Sequence, residues 1–529
     1  MTAIEIRNAQ VYDPAQKIDG EVKDILIEKG LIVSEIKSKK KKVINAKGNI
    51  LMKGGVDVHT HIAGSAINSA RLLRPEDKTF IWKKTENTHS GTGFSCPTTY
   101  LTGYRYAQLG YSTLQEPATS PLKAKHTHDE LQEIPFMRKQ ALLLMGNNLL
   151  AAQYIHDKDF DGLTDYCSWM MDRTKTNGLK LVAPGAYLSW IWGGKKTLPD
   201  SLVPKVDVTP KDIISGLEKA VEALNLPHPI HVHLNGMGYY GNFKSALDEM
   251  KVAKSRMHVA HLQFSSYGGN SWGEFESKAD EIISYVNSNN KITFDLGQIT
   301  HDKTTTLTAD APFEQYLSFL IREKWNARDV EFEHGTGVVP IHYHKDNPVN
   351  AVQWAVGLEL ALLAKDLSRV CLSTDHPNAA PFFRYPRIIY WLMDKKSREK
   401  YADESHKAIA DRTSLYSIER EYSLYDVATI TRYAPAKILG LKDTGLTEGS
   451  VADVSIYDLS RGIEEGFSQT DTTIIGGDVV AVKGEITASF SGSLTHHKMD
   501  GENKKLEEKL DTFFKNYYSI CLSNYGVNL

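Results

Sequence analysis

Apolar and polar positions alternate with period two in Ala3-Ile4-Glu5-Ile6-Arg7, which predicts a strand at the start of the chain. Asp24-Ile-Leu-Ile-Glu28 and Leu31-Ile-Val33 continue it, separated by a Lys29-Gly30 turn. From about residue 51 to 435 the pattern changes. Short apolar runs ending in Gly, His or Asp alternate with helix-length stretches. The runs include Gly178-Leu-Lys-Leu-Val-Ala183, Pro229-Ile-His-Val-His-Leu234, His258-Val-Ala-His-Leu262, Ile292-Thr-Phe-Asp-Leu296 and Val370-Cys-Leu-Ser-Thr-Asp375. Helices are predicted over 210–225 and 351–365. Continuous apolar strands point to a parallel sheet covered on both faces. Repeated strand–helix units point to a closed (β/α)8 barrel, with long insertions because a bare barrel needs only about 250 residues. Past 440 the strand pattern returns, with hairpins expected over 445–458, 473–478 and 479–484. The predicted class is therefore α/β: a TIM-type barrel over 51–435, with a small β-sandwich domain from 1–50 and 436–494. The tail, 495–529, is amphipathic and partly helical (Leu506, Leu510, Phe513, Phe514, Tyr517). It would cap this chain or contact another.

Composition narrows the function classes. Lys and Arg number 62 against 65 Asp and Glu in 529 residues, so the net charge is −3 and neither nucleic acid nor an anionic membrane is an expected partner. The run Lys39–Lys42 reads as a solvated loop. The four cysteines (Cys96, Cys167, Cys371, Cys521) form no C-x-x-C pair and are too sparse for a disulfide framework. No secretory h-region and no run of about 18 apolar residues is found. A cytoplasmic protein is expected.

The strand ends carry the candidate chemistry. His59-x-His61 follows Val56-Asp57-Val58, and residues i and i+2 of a strand point the same way. His231-x-His233 ends a second strand, His261 a third and Asp375 a later one. Four strand ends each offering an N or O ligand suggest a metal in the barrel mouth. The competing reading is a set of core histidines bonded to backbone carbonyls. Lys180 lies mid-strand; taken alone, an ordinary salt bridge is its simpler reading. A buried lysine also loses its proton readily. Its neutral amine can then take up CO₂ as a carbamate, whose two oxygens bridge two cations. His59, His61, Lys180, His233, His261 and Asp375 together suit Zn²⁺. Two ions about 3.5–4 Å apart would share a hydroxide. Asp375 would orient that water and carry its proton to a leaving amine.

The layout and these motifs resemble the amidohydrolase superfamily. Within it the similarity narrows to the A-type subunits of formylmethanofuran dehydrogenase and of the bacterial formyltransferase/hydrolase complex. It is carried by Gly54-Gly-Val-Asp-Val-His-Thr-His-Ile-Ala-Gly64, Leu101–Gly110, Lys125-His-Thr-His-Asp129, Ser265–Gly269, Gly297–Thr300 with Thr304–Thr306, and Asn378–Arg387. It spans residue 1 to about 490, with no counterpart placed for the tail. The resemblance implies two zinc ions, a carboxylated Lys180 as bridge, His233 and His261 as ligands after strands five and six, and Asp375 as acid/base. His231 and His376 fall behind the ligands, and His258 is packing. Tyr104, Arg105, Trp190, Trp192, Asn235, Gln298, Arg384 and Arg387 are candidate pocket residues. Of these Asn235, Gln298, Arg384 and Arg387 are the expected substrate contacts, the two arginines through carboxylates of a polyglutamate tail. The implied reaction is hydrolysis of formyl-methylofuran to formate and free amine, in a complex with a formyltransferase and other subunits. A shorter segment between Asn235 and His258, and His376 after Asp375, favour the bacterial hydrolase. The alternatives are the corresponding subunit of a molybdenum or tungsten formylmethanofuran dehydrogenase, a cyclic-amide hydrolase of the hydantoinase or dihydroorotase type, and a non-catalytic scaffold.

Overall fold

The computed structural model describes residues 3–194, 197–327, 336–499, 501 and 503–527. Its centre is a barrel of eight parallel strands in sequential order. In chain order they are β1 (Gly55–Asp57), β2 (Tyr111–Thr119), β3 (Arg138–Leu144), β4 (Gly178–Val182), β5 (Ile230–His233), β6 (Met257–Val259), β7 (Ile292–Asp295) and β8 (Val370–Cys371). The ends meet just past β1 and β8. Thr60 bridges His376 in parallel, and the His61 N–H donates to the His376 carbonyl at 2.7 Å. All five residues of β4 are buried, as a strand covered by helices outside and side chains inside requires.

The predicted helices form. One spans Pro210–Ala223, with Pro at its first turn and a reciprocal Thr209/Asp212 capping box. The other spans Pro348–Leu363, where the Asn347 side chain accepts from the Val349 and Asn350 N–H groups.

Both chain ends share one nine-stranded mixed sheet. Ala3–Asp13 pairs with Ile18–Glu28, Lys41–Asn45 and Ile50–Lys53, and the last of these pairs with Val454–Tyr457. Ile50–Lys53 therefore runs with the terminal strands. The bridge between Leu31 and Val451 brings the N-terminal edge round to the C-terminal half. The sheet so encloses Ile6, Val11, Ile27, Leu51, Val454 and Ile474. Thr472–Ile475 and Asp478–Val482 form a hairpin whose turn is Gly476-Gly477, both at positive φ, as a two-residue turn prefers. Only Val454–Tyr457 of the expected 445–458 hairpin is extended; the residues before it are turns. Asp453 ties this sheet to the barrel through an ion pair with Arg138 of β3.

Between β7 and β8 the chain makes a long excursion. Lys303–Thr308, Asn326–Ala327 and Gly337–His342 form an antiparallel sheet, and helix Ala311–Ile321 follows its first strand. The excursion lies against the segment after β8: the Thr304 hydroxyl donates to the Pro377 carbonyl, and the Leu307 N–H to Asn378 Oδ1. It thus roofs the C-terminal mouth of the barrel.

The tail caps its own chain. Helix Lys504–Tyr517 lies on helix Phe160–Thr174, where Glu507 accepts from Trp169 Nε1 at 3.0 Å and from Arg173 Nη2. Leu506, Leu510, Phe513 and Phe514 are buried there, whereas Tyr517 is exposed. Among the described residues, no helix is long and apolar enough to cross a membrane.

Candidate metal centre

His59 and His61 leave the end of β1 on the same side. Their Nε2 atoms converge on Asp375 Oδ1, at 3.0 and 3.3 Å. The three side chains are buried, and their ligand atoms lie within 4.8 Å of one another. Asp375 is held from several sides. Its N–H donates to Ser373 Oγ at 2.8 Å, that hydroxyl donates to the His59 carbonyl at 3.1 Å, and Asn378 Nδ2 donates to Asp375 Oδ1 at 2.8 Å. His261 Nε2 is 3.8 Å from Asp375 Oδ2, and the His261 and His233 rings are 4.6 Å apart. Asp375 (φ 47°) and His261 (φ 35°) both adopt the left-handed region, which costs a non-glycine residue on the order of 1 kcal/mol or more and clusters at functional sites.

Lys180 stands in register with His231, His231 with His258, and His258 with Thr293, across β4 to β7. His233 is two residues further toward the mouth. A second group of possible ligands, His59, His231 and Asp295, involves the Nδ1 side of His59. His258 Nδ1 lies 3.0 Å from Thr293 Oγ1, so it is committed to the barrel interior.

Electrostatics bind the set together. Burial pushes Asp375 upward, but the charges of the His59 and His261 imidazoles and hydrogen bonds from His59 and His61 hold it well below the carboxylate range. Burial likewise opposes charge on His61, yet Asp375 and Glu116 carry it up to about 9. Burial, followed by the neighbouring His261 and Lys180, takes His233 well below the usual imidazole value, and burial takes His261 down to about 4. Lys180 is brought down to about 8 by burial, against the pull of Asp295, Asp375 and Glu116. The simple salt bridge is not made: Lys180 Nζ is buried without a hydrogen-bond partner, as are His233 Nε2 and His261 Nδ1. Unsatisfied buried polar atoms cost about 1–3 kcal/mol each. An amine, imidazoles and carboxylates gathered into one buried space can supply, once deprotonated, the donors that one or two Zn²⁺ ions require.

A cavity of about 520 Å³ reaches the cluster at Asp375 and is lined also by Asn378, Phe264, Trp272, Phe313 and Tyr316. Such walls fit a flat aromatic ring. A smaller chamber of about 130 Å³ is lined by Asn235, Asp310, Trp190 and Tyr239. Asn235 is fixed there by Glu249, which accepts from its Nδ2 at 2.8 Å and from its N–H at 2.9 Å.

Other predicted residues lie elsewhere. Gln298 Nε2 donates to the carbonyls of Ile299 and Trp354. Arg384 grips Asp302 with two bonds, at 2.9 and 2.6 Å, and Arg387 turns to Glu464 at 2.9 Å. His376 contributes its backbone to barrel closure, and its ring packs on Phe382. Tyr104 accepts the His89 N–H, and Arg105 is sandwiched between the Phe80 and Phe383 rings. Trp192 lies under Lys205.

Three further acidic residues stand at the site, beyond those the sequence points to: Asp295, Glu116 and Asp310. Asp295 ends its strand as Asp375 ends the last run, a signal the sequence offers. Glu116 sits within β2 beside Gln115, with nothing local to mark it.

A sequence profile described as the amidohydrolase family matches residues 42–483. The chain belongs to that family. It is 42% identical to Protein FwdA of Methanocaldococcus jannaschii, over 99% of this chain and 96% of the relative. It is 33% identical to the A component of the formyltransferase/hydrolase complex Fhc of Methylorubrum extorquens, again over 99% and 96%. In three dimensions it matches a chain of the FhcABCD complex of that organism, crystallised with methylofuran, with a TM-score of 0.93 over 99% of this chain and 97% of the other. These alignments include the tail, for which the sequence motifs alone place no counterpart. Identity is higher to the first of these relatives than to the second.

Proposed function

We propose that this amidohydrolase cleaves the formyl amide of a formylated furan coenzyme, as the hydrolytic subunit of a formyltransferase/hydrolase-type complex. The observation that carries the reading is the convergence of His59 and His61 on Asp375, with Lys180, His233 and His261 buried beside them and an aromatic-walled cavity reaching Asp375. Support comes from end-to-end similarity to one chain of a complex crystallised with methylofuran.

In this reading His59, His61, Lys180 in its carboxylated form, His233, His261 and Asp375 would hold two zinc ions. The lysine nitrogen attacks CO₂, forming an N–C bond and releasing one proton. Bound there, zinc would polarise the formyl carbonyl and acidify a water. Asp375, ionised at neutral pH, takes a proton from the attacking water and delivers it to the amide nitrogen as the C–N bond breaks. The water oxygen stays on carbon; formate and the free amine leave. Phe264 and Trp272 flank the furan ring.

A second reading, the equivalent subunit of a formylmethanofuran dehydrogenase running the same chemistry toward condensation, is favoured by the higher identity to the archaeal relative, 42% against 33%. Elemental mass spectrometry of the purified chain, followed by a formate-release assay on formyl-methylofuran, tests both. Two zinc per chain with formate release supports hydrolysis. Two zinc with net synthesis of the formyl amide only alongside a formate-producing redox partner supports the second reading. A chain that takes up no zinc in the presence of bicarbonate refutes both.

A further inference from the structure

Behind each histidine of the His59-x-His61 pair stands a buried carboxylate. His59 Nδ1 lies 3.0 Å from Asp295 Oδ2, and His61 Nδ1 lies 3.2 Å from Glu116 Oε1. Both acids are essentially inaccessible, and neither forms an ion pair with a lysine or arginine among the described residues. Each also grips the main chain. Glu116 Oε2 accepts from the Ile62 and Ala63 N–H groups at 2.8 and 3.1 Å, just after the second histidine. Asp295 Oδ1 accepts from the His261 N–H at 3.0 Å, the residue whose φ is +35°. Asp295 Oδ2 is also 3.2 Å from His258 Nε2.

A carboxylate accepts and cannot donate. An imidazole facing one through Nδ1 therefore keeps an N–H there, so the proton a metal would displace is the one on Nε2. In this protein both Nε2 atoms point at Asp375 and the shared space. We propose that Asp295 and Glu116 are positioning residues for the metal centre: each fixes the ring and tautomer of one histidine so that Nε2 binds metal. Asp295 also locks the backbone of His261, coupling a ligand after strand one to a ligand after strand six. The inference rests on the zinc reading above, and it adds two residues beyond the six proposed ligands.

The test uses the full chain carrying Asp295→Asn or Glu116→Gln, with His258→Gln as control. The amides keep the shape, but they offer an N–H₂ group that favours the tautomer with Nε2 blocked. Three quantities are read: melting temperature without metal, chelator concentration that removes half the zinc, and the visible spectrum of the cobalt(II) form. Expected are melting temperatures close to wild type, zinc lost at roughly 10–100-fold lower chelator concentration, and an altered cobalt spectrum. His258→Gln, which removes a partner of Asp295 without touching a proposed ligand, should shift the chelator midpoint much less. A merely structural role would lower the melting temperature and leave zinc retention of the folded protein unchanged. If Asp295→Asn does not fold, Glu116→Gln decides. Folded variants that hold zinc as wild type does, with the wild-type cobalt spectrum, overturn the proposal and leave the hydrolase reading standing. A wild-type chain that binds neither zinc nor cobalt overturns both.

Discussion

Lys180 gives the sharpest quantitative expectation. Its ammonium is buried and unpartnered, and its proton affinity falls from 10.5 to about 8. At 1.36 kcal/mol per unit, burial disfavours the charged form by about 3 kcal/mol. A lowered value means the neutral amine is available above pH 8, whereas an exposed lysine waits until 10.5. At pH 7.5 a sizeable minority of Lys180 is neutral, against about one in a thousand for an exposed lysine, a gain on the order of a hundredfold. Only the neutral amine attacks CO₂. The metal-free chain, exposed to ¹³C-labelled bicarbonate and zinc at fixed dissolved CO₂, should incorporate label with a rate that rises tenfold per pH unit up to about 8. Above that pH the rate should level off. Carbon-13 NMR reads the carbamate, and zinc content read in parallel should follow it. Lys180→Ala should incorporate no label and lose most of its zinc. A rate still rising tenfold per unit beyond about pH 9.5, or a carbamate signal surviving in Lys180→Ala, would refute the assignment.

Other substitutions give independent checks. Asp375→Asn should keep the fold and zinc but lose about 10²–10⁴-fold in turnover of the formylated coenzyme, measured by formate release. Arg384→Ala leaves Asp302 without its bidentate partner and should cost about 1–3 kcal/mol in denaturant stability. The ratio of its activities on coenzyme with and without a polyglutamate tail should stay constant; a change in that ratio would restore the arginine to tail recognition. Lys139 is buried, with Nζ on the Ile134 carbonyl, and burial takes it down to about 7. Between that pH and 10.5 the unfolded chain binds the extra proton, so native stability rises with pH. Lys139→Met should remove up to about 3 kcal/mol of the gain between about pH 7.5 and 9.5, read from urea midpoints at the two pH values.

The parts of the site that are legible in the sequence are those where chain direction and chemistry coincide. An apolar strand ending in His or Asp delivers that side chain to the barrel mouth, which is how His59, His61, His233, His261 and Asp375 announce themselves. Lys180 stands out because a lysine between Leu179 and Leu181 has no solvent to reach. The arginines are legible only as charges: that Arg384 spends its guanidinium on Asp302, and Arg387 on Glu464 77 residues away, is decided by tertiary packing. Glu116 belongs to the same class, because the atoms it serves lie about 55 residues earlier. The excursion between β7 and β8 carries apolar and Thr-rich stretches that read locally as more barrel. Its antiparallel pairing, Thr304 with Ile341 and Leu307 with Val338, makes it a roof.

The proposed metal centre sits on the seam where the first and last strands of the barrel meet. Thr60 and His376 join there, next to His61 and Asp375, and the Ser373 hydroxyl reaches across to the His59 carbonyl. Residues separated by more than 300 positions along the chain thus have to meet before the ligand cluster exists. A ribosome that has released the first six strands has made five of the six proposed ligands but not the acid that completes them. Contacts of such long sequence separation form late and slowly. The site would then be assembled only once the barrel has closed, a condition that a chain truncated before β8 cannot meet.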